Sequence, residues 1–358
     1  LNFDLRTFLQ INRFIINFPL LIIQISRPDP ITYLIFVNYR KAVTFYIIFK
    51  GNLIMIRNIA TLLLCICLPA SAYSIIEKSA KIALEPGKIE AFTGAKGQLD
   101  VKENVFKISV PRNDLKVTIN GVKFTPGMGL TSWVAFKQVN SHVMVMGDLV
   151  LTEDQVNAVM SVALDNGLHI TALHNHFFWE NPRVMFMHID GMGDADKLAS
   201  AVGKVFATIK ETSNKTNNVP HAALDPAKTT LDPSKIDAIL GEKGQLKDGV
   251  YKIVIGRGAT MGGYQIGNAM GVNTWAAFVG SDNQAVVDGD FAMHESELQN
   301  VLVALRKAGI YIVAIHQHMT GEKPRFIFLH FYAIGNTEIL AKGLRTALDI
   351  IRERNDNK

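Results

Sequence analysis

The sequence predicts an α+β protein, a tandem duplication of a strand-rich unit that ends in helix-strand-strand-helix, like a ferredoxin-like half, and packs as a two-layer sandwich. Three observations predict it. Lys88-Ile89-Glu90-Ala91, Gly94 and Lys96-Gly97-Gln98-Leu99 return as Lys235-Ile236-Asp237-Ala238, Gly241 and Lys243-Gly244-Gln245-Leu246. Further on, an offset of 142 matches Trp133 with Trp275, Phe136 with Phe278, Gly147-Asp148 with Gly289-Asp290 and Glu153 with Glu295. Within each copy, short strand-like runs precede two segments with apolar residues at helical spacing.

The elements follow in order. Residues 1–54 hold 11 Ile and 7 Phe but one Ala, and no Met precedes Met55, a bias that reads as translation of upstream DNA. Their apolar stretches, Phe14–Ile25 and Ile31–Phe49, are interrupted by Pro19, Gln24, Asn38, Arg40 and Lys41, so neither supplies the uninterrupted run a membrane span needs. From Met55, a basic start at Arg57, an apolar run from Ile59 to Leu68 and Ala70-Ser71-Ala72 predict a secretory signal peptide over 55–72, cleaved before Tyr73. The mature chain is then periplasmic or secreted and has no transmembrane anchor. Cys65 and Cys67 leave with the leader, and neither follows a lipobox.

The whole chain carries 37 Lys+Arg against 32 Asp+Glu, for a charge of +5. Seven of the basic and two of the acidic residues precede Tyr73, so the mature chain balances at 30 against 30. That excludes the basic surface expected of a nucleic-acid partner. The absence of cysteine excludes a disulfide, a thiolate ligand and a Cys nucleophile.

The first repeat domain is expected over 73–211 and the second over 235–358, with a polar, Pro-containing linker at 212–234. In each copy, early strands (VFKISV, SWVAF and HVMVMGDLVL; VYKIVI, TWAAF and AVVDGDFAM) lead to a helix over Glu153–Asn166 or Glu295–Ala308, stopped by Gly167 or Gly309. Strands His169–Phe178 with Arg183–Ile189, and Tyr311–Met319 with Arg325–Phe331, follow. Helices near 194–210 and 336–352 close the copies.

Both closing hairpins carry His-Asn/Gln-His, five residues, Pro-Arg, four residues, His, four residues, Gly. The histidines are His174, His176 and His188 in one copy and His316, His318 and His330 in the other, six of the ten in the chain. Residues two apart in a strand share a face about 6–7 Å apart. A turn centred near Asn181, or near Lys323, would set His174 opposite His188 and His316 opposite His330. Ile170, Ala172, Val184 and Phe186, with Ile312, Ala314, Phe326 and Phe328, would share that face. Three imidazoles among apolar neighbours repel one another when protonated and lack partners when neutral, whereas a divalent metal, zinc or copper, satisfies all three. The alternative is that each His bonds a backbone group or carboxylate and holds the sheet to its helix.

Glu180, Glu322, Asp148 and Asp290 are candidates for an additional ligand or a base. Glu153 and Glu295 stand at helix starts, where capping and the helix dipole explain an acid. Arg183 and Arg325 suit surface ion pairs, and Trp133 and Trp275 core or rim positions. His-x-His-x3-Glu also occurs in cupins, but there the last His lies on a distant strand and helices are few. No His-Glu-x-x-His, Walker loop or Gly-x-Ser-x-Gly occurs.

The doubled segment with ALHNHFFWENPRVMFMHIDGMGDADKLA and AIHQHMTGEKPRFIFLHFYAIGNTEILAKGLRTALD resembles the LppY/LpqO family of exported bacterial proteins. The resemblance covers nearly the whole mature chain. It implies a repeated domain and a cell-envelope or secreted location, and it supplies no catalytic residues. Three functions remain open on these residues: divalent-metal binding, a metal-dependent hydrolase of an envelope substrate, and a non-catalytic envelope interaction protein with structural histidines. All three histidines are kept in both copies, which argues against one active and one decayed site.

Overall fold

The computed structural model describes residues 21–25, 32–39, 42–49, 52–56, 84–213 and 219–353. The chain divides into two compact units, Leu1–Ala80 and Lys81–Lys358. In the first, β1 (Leu21–Ile25), β2 (Thr32–Tyr39), β3 (Ala42–Phe49) and β4 (Asn52–Ile56) form an antiparallel sheet in chain order. The apolar stretches read above as too interrupted to span a membrane therefore contribute strands. The proposed signal cleavage site lies outside the described residues. Among the described residues, no helix is long and apolar enough to cross a membrane.

The second unit holds both copies. The first contains α1 (Pro86–Thr93), β5 (Gly97–Asp100), β6 (Val105–Pro111), β7 (Thr118–Ile119), β8 (Val122–Lys123), β9 (Thr131–Val139) and β10 (His142–Thr152). It continues with α2 (Glu153–Asp165), β11 (His169–His174), β12 (Glu180–Asn181), β13 (Val184–Gly193) and α3 (Ala195–Thr212). The second copy contains α4 (Pro233–Leu240), β14 (Gln245–Lys247), β15 (Val250–Gly256), β16 (Ala259–Met261), β17 (Tyr264–Ile266), β18 (Asn273–Gly280) and β19 (Ala285–His294). It ends with α5 (Leu298–Lys307), β20 (Tyr311–His316), β21 (Phe326–Gly335) and α6 (Thr337–Glu353). The closing helices fall where their periodicity places them. The short helices α1 and α4 carry the repeated Lys-Ile-Glu/Asp-Ala segment and end on left-handed Gly94 and Gly241, a favoured helix stop.

Twelve strands form one antiparallel sheet in the order β14-β15-β18-β19-β21-β20-β11-β13-β10-β9-β6-β5. The second half of that order repeats the first in reverse, so the copies are related by a pseudo-two-fold passing between β20 and β11. The seam has a single backbone partnership, Leu173 with Ile315. Side chains complete it reciprocally. The Asn157 amide donates to the Ile312 carbonyl at 3.2 Å and accepts from its N–H at 2.8 Å. The Gln299 amide does the same for Ile170, at 2.8 and 3.0 Å. Asn157 and Gln299 occupy equivalent positions on α2 and α5, which pack against each other.

Strand alternation sorts the residues onto two faces. One face, with Val145, Leu149, Leu173, Met187 and Ile189 and their counterparts, packs against the helices in a continuous core. The opposite face carries smaller apolar clusters: Val117, Leu130, Val150, Val184 and Phe186 in the first copy, and Ala259, Ile266, Val272, Ala292, Phe326 and Phe328 in the second. Their cover comes from the small sheet β12-β7-β8 and the hairpin β16-β17.

Both copies bury an arginine at the edge of this packing. Arg112 pairs bidentately with Asp114 (2.9 and 2.8 Å) and bonds the Val150 carbonyl and Gln155. Arg257 bonds Glu297 at 2.9 Å and the Ala292 carbonyl at 3.2 Å. Gln155 and Glu297 occupy the same capping position, each accepting from a backbone N–H three residues earlier, Thr152 or His294. The acid of the pair therefore comes from a loop in one copy and from the cap itself in the other.

Candidate metal centre

The six histidines sit on the sheet face away from the helices. β10 and β13 set Asp148 directly opposite His188, with Trp133 beyond it on β9. β19, β21 and β18 repeat this with Asp290, His330 and Trp275. The glycine before each acid has a steric cause. A Cβ on Gly289 would lie 2.3 Å from the Trp275 carbonyl and 2.2 Å from the Phe331 ring, and one on Gly147 would lie 2.9 Å from the Trp133 carbonyl. The Gly-Asp pair thus allows close strand packing and aims the acid at the histidine face. Past each Trp-Asp pair the ladder is continued by side chains: Ser132 Oγ accepts from Val150 N–H at 2.9 Å, and Thr274 Oγ1 from Ala292 N–H at 3.0 Å.

The hairpin register differs from the sequence expectation. His188 pairs with Ala172 and His174 with Phe186, while His330 pairs with Ala314 and His316 with Phe328. The first hairpin crosses one residue earlier than Asn181, because Glu180 and Asn181 leave it to pair with Ile119 and Thr118 of β7. The resulting shift is two residues, which in a strand keeps the face, so the imidazoles still converge. A register shift between Ile170 and Ala172, and between Ile312 and Ala314, has the opposite effect on the isoleucines. It turns Ile170 and Ile312 into the helix-side core, off the histidine face where the alternation placed them.

β11 and β20 also end sooner than expected, at His174 and His316, so His176 and His318 lie beyond the strands. They return over the sheet by stacking on aromatic rings. His176 lies 3.3 Å, centroid to centroid, from Phe186, and His318 lies 3.5 Å from Phe328. His174 is then 5.1 Å from His176 and 5.2 Å from His188, and His316 is 5.2 Å from His318 and 4.8 Å from His330.

Two groups offer converging ligand atoms, all within 4.8 Å of one another: His174, His176 and His188, and Asp290, His316 and His318. Asp148 Oδ1 lies 3.9 Å from His188 Nε2, and Asp290 Oδ2 lies 3.2 Å from His318 Nε2. His330 stands beside the second group with Nδ1 3.3 Å from the Gly289 carbonyl. Burial holds the His176 and His316 imidazoles below the ordinary histidine value. Asp148 and Asp290 act in the other direction, and the neighbouring imidazoles reinforce the lowering. Neutral imidazole is the form that ligates a metal. Two buried polar atoms here have no hydrogen-bond partner: His316 Nε2 in the second group and Asp148 Oδ1 beside the first.

Of the other candidates, Glu180 and Glu322 are in neither group. Glu322 is buried and accepts from the Phe326 N–H at 3.0 Å within its own hairpin, and Glu180 lies 3.9 Å from Arg183. Arg183 also reaches Glu153 at 3.7 Å, the exposed ion pair expected of it. Trp133 and Trp275 are half-buried on the histidine face, with Lys107 and Lys252 lying 4.3 and 4.0 Å from their ring centroids. Neither lysine was singled out by the sequence pattern. The signal was their recurrence at one offset, 145, shared with the Arg112–Arg257 pair.

The two groups lie on one continuous face. A strand spacing of about 4.8 Å and a rise of about 3.3 Å per residue place the Cα atoms of His174 and His316 roughly 8 Å apart across the seam.

Each half of this duplicated α+β chain carries a histidine cluster on the sheet face away from the helices. The chain belongs to the family described as Domain of Unknown Function (DUF1259), which matches residues 87–208 and 234–350, one match for each copy. No curated protein matches the chain. Among solved structures it is similar to a trimeric bacterial microcompartment shell protein, PduB, at 10% identity, over 73% of this chain and 92% of that one, with a TM-score of 0.18.

Proposed function

We propose that the protein binds divalent cations, zinc or copper, through His174, His176 and His188 in the first copy and through Asp290, His316 and His318, with His330 beside them, in the second. The observation that carries this reading is the convergence of three ligand atoms within 4.8 Å in each copy, with one orphaned buried atom, His316 Nε2, inside the second group and another, Asp148 Oδ1, beside the first. A buried polar atom without a partner is costly, and a cation in the second group would remove that cost for His316. The Met55–Ala72 leader and the resemblance to the LppY/LpqO family support a periplasmic or secreted location for this binding, with an envelope molecule or small molecule as a further ligand.

Metal analysis and zinc titration of the protein beside a His174→Ala/His316→Ala variant test the proposal. Two zinc ions per chain are expected in the parent and a loss at both centres in the variant. Equal, negligible metal in both would overturn it and leave the histidines a structural role in an interaction protein.

A second reading, a metal-dependent hydrolase of an envelope substrate, is favoured by one observation. His176 and His318 are exposed, so a cation at either centre has a side open to water. Such a position lowers the pKa of bound water. Asp148, 3.9 Å from His188, would be the residue to orient that water in the first copy. Zinc-dependent cleavage of an ester or phosphoester, lost in Asp148→Asn with zinc content unchanged, would support this reading. The absence of any such cleavage in the zinc-loaded protein would sink it.

A further inference from the structure

The two centres, alike in sequence, differ in the atoms they present. In the second copy Asp290 is 2% exposed, and its Oδ1 accepts from the Leu329 N–H at 3.2 Å. This fixes the carboxylate so that Oδ2 faces His318 at 3.2 Å. His330 is turned toward the Gly289 carbonyl, which leaves two imidazoles and one carboxylate as the converging set. In the first copy the converging set is three imidazoles, and Asp148 stands outside it. Asp288, two residues before Asp290 on the same face, adds a second acid near His330, where the first copy has Met146.

Donor chemistry then separates the two. Imidazole-only sites suit zinc, copper, nickel and iron, whereas a carboxylate with two imidazoles also accepts the harder manganese(II). We infer that the Asp290-His316-His318 centre is a mixed oxygen and nitrogen site that takes manganese(II) as well as zinc, and that the His174-His176-His188 centre takes only nitrogen-preferring cations. The inference rests on the metal-binding reading above and deepens it.

Manganese(II) alone, titrated into the full chain and followed by the loss of its free-ion electron paramagnetic resonance signal, provides the test, with zinc stoichiometry measured in parallel. The expected result is one manganese and two zinc ions per chain. Asp290→Asn should weaken manganese at least tenfold while two zinc ions still bind at saturation. His188→Ala should keep the manganese and lose one zinc. Because Asp290 is buried, His318→Ala at an exposed position provides a second variant with the same expected manganese loss, and circular dichroism checks the fold of each. Two equivalent manganese ions, none, or manganese binding untouched by both Asp290→Asn and His318→Ala would overturn the inference while zinc binding stood. A parent protein that binds neither ion would overturn the metal-binding reading itself.

Discussion

Asp290 and its counterpart Asp148 occupy the same register position yet approach different histidines. Asp290 Oδ2 is 3.2 Å from His318 Nε2, whereas the acid oxygen of Asp148 is 3.9 Å from His188 Nε2, and His188 corresponds to His330 rather than to His318. One duplicated motif therefore yields two arrangements, and their consequences are measurable.

Zinc should stabilise the protein against heat. A ligand that binds only the folded state at a hundred times its Kd contributes about 2.7 kcal/mol per site. Thermal denaturation should show a higher Tm with zinc than with a chelator. The His174→Ala/His316→Ala variant should melt at one temperature under both conditions, and an equal zinc response in that variant would assign the effect to other residues.

The seam amides give a local prediction. Asn157→Ala or Gln299→Ala leaves both backbone groups of Ile312 or Ile170 unpaired, a cost of about 1–3 kcal/mol per buried group. Hydrogen exchange at the Ile312 or Ile170 amide should accelerate, while amides of the outer strands β6 and β15 keep their protection. Uniform acceleration across the sheet would mean the seam is not a local unit.

Arg257 and Glu297 form a pair that is 7% and 0% exposed. Arg257→Ala leaves the Glu297 carboxylate buried without its cation and should cost about 3–5 kcal/mol by urea denaturation. In the first copy, Arg112→Ala leaves Asp114, a third exposed, free to reach solvent. Its cost should be the smaller of the two. The reverse order would refute this assignment of the buried charge.

Tyr251 supplies a pH dependence. Burial first, and then its hydrogen bond to Asp237, push its phenol up to about 12. The folded state therefore holds this proton where the unfolded chain, near pH 10, releases it. The stability it contributes is complete below pH 10 and is lost as the pH rises from 10 toward 12. Tyr251→Phe should lower stability at pH 8, and the gap to the parent should shrink by pH 11. A gap of constant size would show that the phenol does not ionise differently on folding.

The histidine face was legible in the sequence because strand parity survives an error of two residues in the hairpin register. The duplication exposed both sets of three at once, and the Gly-Asp repeat marked the acids beside them. The pairing itself was hidden, because Glu180 and Asn181 bond to β7, a segment more than 60 residues earlier whose two-residue strands carry no periodic signal. The register shift that buries Ile170 was equally hidden, since its compensating partner, Gln299, belongs to the other copy. The arginine pairs escaped notice because the acid partner moves from Asp114 to Glu297, so no single motif is repeated.

The seam between β11 and β20 also bears on how the chain is put together. One backbone partnership, two amide clamps and a helix pair make a narrow junction for two six-stranded halves. Between separate molecules such a junction would depend on protein concentration. Here both halves belong to one polypeptide, which holds them at a fixed local concentration. The duplication is thus a dimer made permanent within one polypeptide, and covalent linkage leaves each half free to diverge without losing its partner, as Asp290 and Asp148 have done.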